Sequence, residues 1–334
     1  MKAIIPVAGA GTRLRPFTYT QPKSLIPVAG KPIISYIIED LASHGIEEFV
    51  FVVGYFGDKI IDYVKSAYPH LKVDFVFQNQ REGLGHAIYL CREFISPEDE
   101  LIIMLGDSLV EIDNDFFNDD HISKIAIKKV KDPTVFGVVE YKEDGEILKL
   151  IEKPKFPKSN FAMVGLYKIV EVELFLNLLE KYNKDDIRTN GEIQLTDVLN
   201  EMLSNGVCFT SQEVSNWLDV GNGDILLQSN SILLKKYGSN ISVKSTINNT
   251  VLIDPVSISE GCEIHNSIIG PNITIGENTK INNSIIKEGI IGSYSSLNNM
   301  QLTCFVVGSD SSLKGASQTL TVGDNTELDF SKSN

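Results

Sequence analysis

The sequence predicts an α/β domain with a mixed, mostly parallel sheet, followed by a β-helix. Three observations predict it: a glycine-rich turn placed directly after the first apolar run, an alternation of strand-like and helix-like segments through residues 33–105, and an isoleucine repeat after Gly238. The run Ala3-Ile4-Ile5-Pro6-Val7 reads as a buried strand. The turn that follows, Gly9-Ala10-Gly11-Thr12-Arg13-Leu14-Arg15-Pro16, therefore sits at a strand's C-terminal end, where open α/β sheets bind ligands. Glycines there let backbone N–H groups approach a phosphate chain, and Arg13, Arg15 and Lys23 supply cations to neutralise it. A dinucleotide-binding turn fits less well. Leu14 stands where G-x-G-x-x-G needs its last glycine, and Pro16 and Pro22 prevent a helix from running straight out of the turn.

Helical patterns cover 33–44, 58–67 and 86–94, and strand patterns cover 49–53, 73–77 and 101–105. Such alternation argues for a parallel sheet with helices on both faces. Asp107 follows the apolar run 101–106 and so belongs on the same sheet edge as the glycine turn. From 125 to 166 the helices drop out, and strand-like stretches at 125–130, 135–141, 147–152 and 161–169 suggest an antiparallel region. Helices return at 171–181, 194–203 and 223–236. Beyond Gly238 the composition shifts to Asn, Ser, Gly and Ile. Ile258, Ile264 and Ile269 are echoed by Ile275, Ile281 and Ile286, then by Ile291, Leu297 and Leu302, by Val307 and Leu313, and by Val322 and Leu328. Short strands of this period stack as the coils of a β-helix with a triangular cross-section.

The chain has 334 residues, 43% hydrophobic and 22% charged, which is ordinary for a globular protein of one or two domains. A formal net charge of −14 argues against general attraction to nucleic acid or an anionic membrane, so the basic residues of the turn form a local site. Cys91, Cys208, Cys262 and Cys304 are far apart with no C-x-x-C pair; a reducing cytoplasm with buried thiols is the simplest reading. His44, His70, His86, His121 and His265 show no zinc-ligand spacing. No secretory leader and no membrane-length apolar run is expected.

The pattern G-x-G-T-R-L-x-P-x-T, then Pro22-Lys23-Ser24-Leu25-Ile26-Pro27-Val28 and Lys31-Pro32-Ile33, resembles the opening of the sugar-1-phosphate nucleotidyltransferases. The resemblance continues in order through Gln78 with Gly83-Leu84-Gly85-His86-Ala87, Leu105-Gly106-Asp107, Phe136-Gly137-Val138, Glu152-Lys153-Pro154, Val164-Gly165, Glu192-Ile193-Gln194 and Trp217-Leu218-Asp219-Val220-Gly221. It covers roughly residues 1 to 235, and the tail resembles the left-handed hexapeptide-repeat β-helix that many such enzymes carry. The resemblance implies a Rossmann-like catalytic domain over 1–238 and a left-handed β-helix over 239–334. For the helix it implies oligomerisation or scaffolding, with His265 the one candidate base for a second activity.

The reaction so implied is attack of a sugar-phosphate oxygen on the α-phosphorus of a nucleoside triphosphate, with pyrophosphate leaving. The nucleophile is already an anion, so catalysis rests on positioning and electrostatics. Mg²⁺ suits this task, since it takes a few carboxylates plus phosphate oxygens. By the resemblance, Asp107 and Asp219 are its ligands. Gly9, Ala10, Gly11 and Thr12 cradle the nucleotide, Arg13 contacts the β- and γ-phosphates, Lys23 the α-phosphate, and Lys153 the sugar phosphate. Gln78 reads the base and Gly83 lets the backbone pass close to it. Glu152 accepts from sugar hydroxyls, with Leu84, Gly137 and Val164 around the sugar; Trp217 either shields the sugar or simply packs. The whole resembles long-form glucose-1-phosphate thymidylyltransferases, which implies dTTP and glucose 1-phosphate as substrates. UTP with glucose 1-phosphate, GTP with mannose 1-phosphate, and a catalytically silent sugar-nucleotide-binding subunit are the alternatives.

Overall fold

The apolar runs near residues 3, 49 and 101 become neighbouring strands of one sheet. The computed structural model describes residues 1–118 and 121–315, and it divides into two compact units, Met1–Leu233 and Leu234–Asn334. In the first unit, β1 (Lys2–Pro6) leads into the glycine turn and three short 3-10 turns. A two-residue pair, β2 (Pro27–Val28) and β3 (Lys31–Pro32), precedes α1 (Ile33–Ser43). Then come β4 (Glu48–Val53), α2 (Gly57–Ala67), β5 (Lys72–Phe77), α3 (Leu84–Tyr89), β6 (Leu101–Met104) and β7 (Ser108–Glu111). The antiparallel region supplies β8 (Ser123–Lys129), β9 (Gly137–Tyr141), β10 (Ile147–Glu152) and β11 (Phe161–Ile169). It is followed by α4 (Val172–Lys184), α5 (Leu195–Ser204), β12 (Phe209–Glu213) and β13 (Asn216–Asp219), and by α6 (Gly223–Tyr237), which includes the division at Leu233.

The main sheet runs β10-β9-β11-β6-β1-β4-β5, with β8 pairing to β11 and β12. Strands β6, β1, β4 and β5 are parallel, with Ala3 opposite both Phe49 and Ile102, and Phe49 opposite Val73. Their C-terminal ends therefore share one edge, and the glycine turn, Gly54, Gln78 and Leu105-Gly106-Asp107 all leave from it. On one face, Ile4, Val50, Val52 and Ile103 pack with Ile88, Phe175, Leu179 and Val198 of α3, α4 and α5. Side chains alternate along a strand, so Ala3, Ile5, Phe49 and Phe51 serve the other face. Burying one such side chain is worth about 1.5–3 kcal/mol, and this two-sided burial fixes the strand ends that carry the site.

Two details, the helix after Gly83 and the thiols, differ from the sequence reading. The helix expected over 86–94 is α3 followed by a 3-10 turn at Arg92–Phe94. There the chain tightens to i→i+3 bonding, with Cys91 N–H donating to the Ile88 carbonyl at 2.9 Å. The thiols are not all buried: Cys91 and Cys262 are, while Cys208 and Cys304 are exposed. The stretch after Asp107 forms a separate two-stranded ribbon, β7 against β13, in which Ser108 faces Asp219.

The second unit is a parallel β-helix. Ile258, Ile275, Ile291 and Val307 are in register on one side, Ile264, Ile281, Leu297 and Leu313 on a second, and Ile269, Ile286 and Leu302 on a third. The isoleucines of these ladders are buried inside the coils. One coil precedes those read from the repeat, since Ile241, Ile247 and Leu252 pair with Ile258, Ile264 and Ile269. Asn249, Asn266, Asn283 and Asn299 hold φ of +47°, +50°, +48° and +55°, one per coil. Asparagine tolerates that left-handed corner, which accounts for its frequency here. Val322 and Leu328 lie outside the described residues.

Candidate active site

A cleft of about 460 Å³ opens at the C-terminal edge of the parallel strands. Gly9, Gly11, Thr12, Arg13, Lys23, Gln78, Gly83, Leu84 and Asp107 line it. Gly11 has φ +59°, and Thr18 Oγ1 donates to its carbonyl at 2.8 Å. A Cβ at position 11 would lie 3.0 Å from Lys23 Cβ, so this glycine lets Lys23 close on the turn. Lys23 Nζ then reaches Asp107 Oδ2 at 2.6 Å. Gly106 serves the same closeness between strand exits, since a Cβ there would meet Val7 Cγ1 at 2.2 Å.

The ribbon β7–β13 carries the second carboxylate to the first. Val220 N–H donates to the Asp107 carbonyl at 3.0 Å, so Asp219 stands beside Asp107 although 112 positions separate them in the chain. Burial raises the pKa of the Asp219 carboxyl, and the Asp107 carboxylate raises it further; Lys23, Arg13 and Lys153 pull it down. The two acids and three cations therefore act on one another. A Cβ at Gly221 would lie 3.1 Å from the Arg13 guanidinium, so the bare backbone after Asp219 makes room for that side chain.

At the other end, Gln78 is buried, and its Nε2 donates to the Gly83 carbonyl at 3.0 Å. Gly83 has φ +101°, and a Cβ there would lie 2.5 Å from the Ile193 carbonyl oxygen. Gly85 N–H donates to the Ile193 carbonyl and Ile193 N–H to the Glu82 carbonyl, at 2.9 and 2.8 Å. Close packing against residues 192–193 is thus one reason for both glycines. It also brings Glu192 into the cleft wall, and Arg81 lines the same end. Sequence reasoning assigned neither residue a role. The available signals were Arg81 standing three positions after Gln78, and Glu192 opening the segment Glu192-Ile193-Gln194.

The remaining predicted residues do not line this cleft. Ala10 is buried behind the turn, and Val164 is buried in β11. Gly137 and Glu152 are paired across β9 and β10, and a Cβ at 137 would lie 2.9 Å from Glu152 Oε2. Thr196 Oγ1 donates to the same carboxylate oxygen at 3.3 Å. Lys153, with φ +43°, places its ammonium 3.5 Å from Glu152 Oε1. Trp217 packs edge-on against Phe136, with centroids 4.8 Å apart, and its Nε1–H donates to Ser108 Oγ at 3.4 Å.

Among the described residues no cluster of three His, Cys, Asp or Glu side chains suits a metal ion. Asp107 and Asp219 alone are a donor set that fits Mg²⁺, which takes one or two carboxylates and completes its shell with phosphate oxygens and water. Burial, and after it the Asp107 carboxylate, disfavours the charged form of Asp219, and a divalent cation would offset both. Also among the described residues, no helix is long and apolar enough to cross a membrane.

Comparison with known proteins shows the family. The chain is 36% identical over 263 residues to a bifunctional protein GlmU of Methanococcus maripaludis, covering 78% of this chain and 61% of that relative. It thus spans about three-fifths of the length of such relatives. It is 31% identical to a glucose-1-phosphate thymidylyltransferase of Streptomyces antibioticus, covering 78% and 74% of the two chains. A solved UDP-glucose pyrophosphorylase complexed with UDP-glucose superposes with a TM-score of 0.61 at 26% identity, covering 70% of this chain and 98% of the other. The GlmU-like C-terminal hexapeptide model matches residues 228–293, where the stacked coils lie. The nucleotidyl transferase model matches residues 2–236, the part that holds the glycine turn, the paired aspartates and the cleft, and the chain belongs to that family.

Proposed function

We propose that this protein transfers a nucleotidyl group from a nucleoside triphosphate to a sugar 1-phosphate, releasing pyrophosphate, with dTTP and glucose 1-phosphate as its substrates. The observation that carries this reading is the convergence of Arg13, Lys23, Asp107 and Asp219 beside one cleft. The similarity to a glucose-1-phosphate thymidylyltransferase supports the choice of substrates. Two polyanions must be brought together and charge must be stabilised as it builds at the α-phosphoryl group. Gly9, Gly11 and Thr12 receive the triphosphate; the Arg13 fork holds the β- and γ-oxygens bidentately, where a lysine would act only as a point charge. Lys23 neutralises the α-phosphate. Asp107 and Asp219 would hold Mg²⁺, which when bound would supply charge neutralisation at the phosphates. Gln78 faces the base. Glu152 accepts from sugar hydroxyls, and Lys153 pairs with the sugar phosphate on the antiparallel side. Trp217 acts through packing on Phe136. We assign the β-helix to homo-oligomer formation and the whole to the cytoplasm, where nucleoside triphosphates are supplied.

Pyrophosphate release with Mg²⁺, measured across a panel of nucleoside triphosphates and sugar 1-phosphates, tests the proposal. Release with dTTP and glucose 1-phosphate, abolished by chelation, is expected. Release from another pair reassigns the substrates, and none from any pair makes the chain a silent binding subunit.

A further inference from the structure

We infer that His86 is a positioning residue for base selection: its Nδ1 locks the Gln78 amide with the oxygen toward the cleft, so the cleft selects bases that present a ring N–H, as uracil and thymine do and cytosine does not. The inference rests on the reading that Gln78 faces the base. Gln78 Nε2 has two protons and no lone pair to offer. One points to the Gly83 carbonyl at 3.0 Å and the other to His86 Nδ1 at 3.2 Å. A carbonyl and an amide nitrogen leave no choice of direction, so His86 Nδ1 must be the acceptor. The His86 proton then sits on Nε2, which lies 3.8 Å from Glu82 Oε1. Glu82 is in turn clamped by Arg188, which also holds Asp186 at 2.5 Å. A chain of four side chains, Arg188–Glu82–His86–Gln78, ends on the amide.

The consequence lies in what the amide has left. Both its N–H groups are used inside the protein, and among the described residues no donor reaches Oε1. Gln78 lines the cleft, so it offers a ligand an acceptor only. Uracil and thymine carry N3–H and satisfy it. Cytosine carries a lone pair at N3, which would face the oxygen's lone pairs, so pairing at the ring position that N3–H of uracil occupies requires the amide to turn; its N4 amino group meets the oxygen only if the base shifts in the cleft. Turning sets Oε1 against the Gly83 carbonyl, and against the His86 Nδ1 lone pair as long as Glu82 keeps the ring proton on Nε2. Burial lowers the His86 pKa, with Arg188 adding to the effect and Glu82 opposing it, which keeps the ring in the neutral form the lock needs. A free glutamine could serve either base; this one is committed by its neighbours.

The test uses the full chain and reads nucleotide binding by calorimetry with Mg²⁺, so it does not depend on the acceptor sugar. UTP and CTP are the probes. Wild type should favour UTP by about 100-fold or more, the scale of an unpaired buried polar group. His86→Leu, which cannot accept, should shrink that preference at least tenfold, and His86→Asn, whose Oδ1 accepts the same N–H, should restore most of it. Should the leucine variant not fold, His86→Met gives the same comparison. A UTP/CTP ratio within twofold of wild type in the His86 variants, while Gln78→Leu collapses it, overturns the inference and leaves base reading by Gln78 intact. A ratio unmoved by Gln78→Leu overturns both. In wild type, ¹⁵N resonances of His86 at neutral pH should show the Nε2–H tautomer; a proton on Nδ1 would contradict the lock.

Discussion

The two units of this chain use isoleucine in opposite ways. In the β-helix, Ile264, Ile281 and Leu297 occupy equivalent positions in successive coils, and each is buried because its neighbours in the stack repeat it. In the α/β unit, Ile4, Val50 and Ile103 are equally buried but not equivalent, because each strand ends in a different loop with different chemistry. The repeat makes a structure whose residues are read from a period. The parallel sheet makes an edge from which Arg13, Lys23 and Asp107 leave, and the β7–β13 ribbon brings Asp219 beside them, the set proposed to carry the chemistry. Damage should therefore stay local to each unit in kind: loss of chemistry without loss of fold at the sheet edge, loss of stability without loss of chemistry in the coils.

The sharpest break of this comparison is at the carboxylates. Asp107→Ala and Asp219→Ala should each lower turnover by about 10²–10³, the scale of a lost electrostatic contact to the transition state, while thermal unfolding stays close to wild type. A variant within a few fold of wild-type turnover would remove that residue from metal binding. Next is Arg13→Lys, expected to cut turnover by about tenfold, or about 1.4 kcal/mol, with nucleotide affinity retained, because the planar fork is lost while the charge stays. Equal turnover would reduce Arg13 to a residue that fills the space left by Gly221. The smallest effect is expected in the coils. Ile281→Val should cost about 0.5–1.5 kcal/mol of stability, read by denaturant unfolding, with kcat unchanged. A fall in kcat there would show that the coils reach into the chemistry and would dissolve the distinction.

Both units were legible in the sequence to different depths. The parallel strands, their shared edge and the positions of Arg13, Lys23 and Asp107 follow from apolar runs and the turns after them. Three things did not. The first coil was missed although Ile241, Ile247 and Leu252 keep the spacing of the coils that follow. The approach of Asp219 to Asp107 depends on the ribbon pairing Ser108 with Asp219, which has no local signature. At the Gln78 end the resemblance named Gln78 and Gly83 but not the contacts that hold them. Glu192 enters the wall through Ile193 packing on Gly83 and Gly85, and the Gln78 amide is oriented by a carbonyl and a histidine ring, none of which a pattern of residue types reveals. Gly137, Glu152 and Lys153, which the resemblance implied for the sugar, lie on β9, on β10 and directly after it, and do not line the cleft.

Nucleotidyl transfer at the sheet edge, as proposed, is tested by following the α-phosphate. The full chain with Mg²⁺, glucose 1-phosphate and dTTP labelled at the α-phosphorus should place the label in the nucleotide-sugar and leave the released pyrophosphate unlabelled. Label remaining in dTTP or in a free nucleotide, with no labelled sugar product from any acceptor tried, would contradict the account.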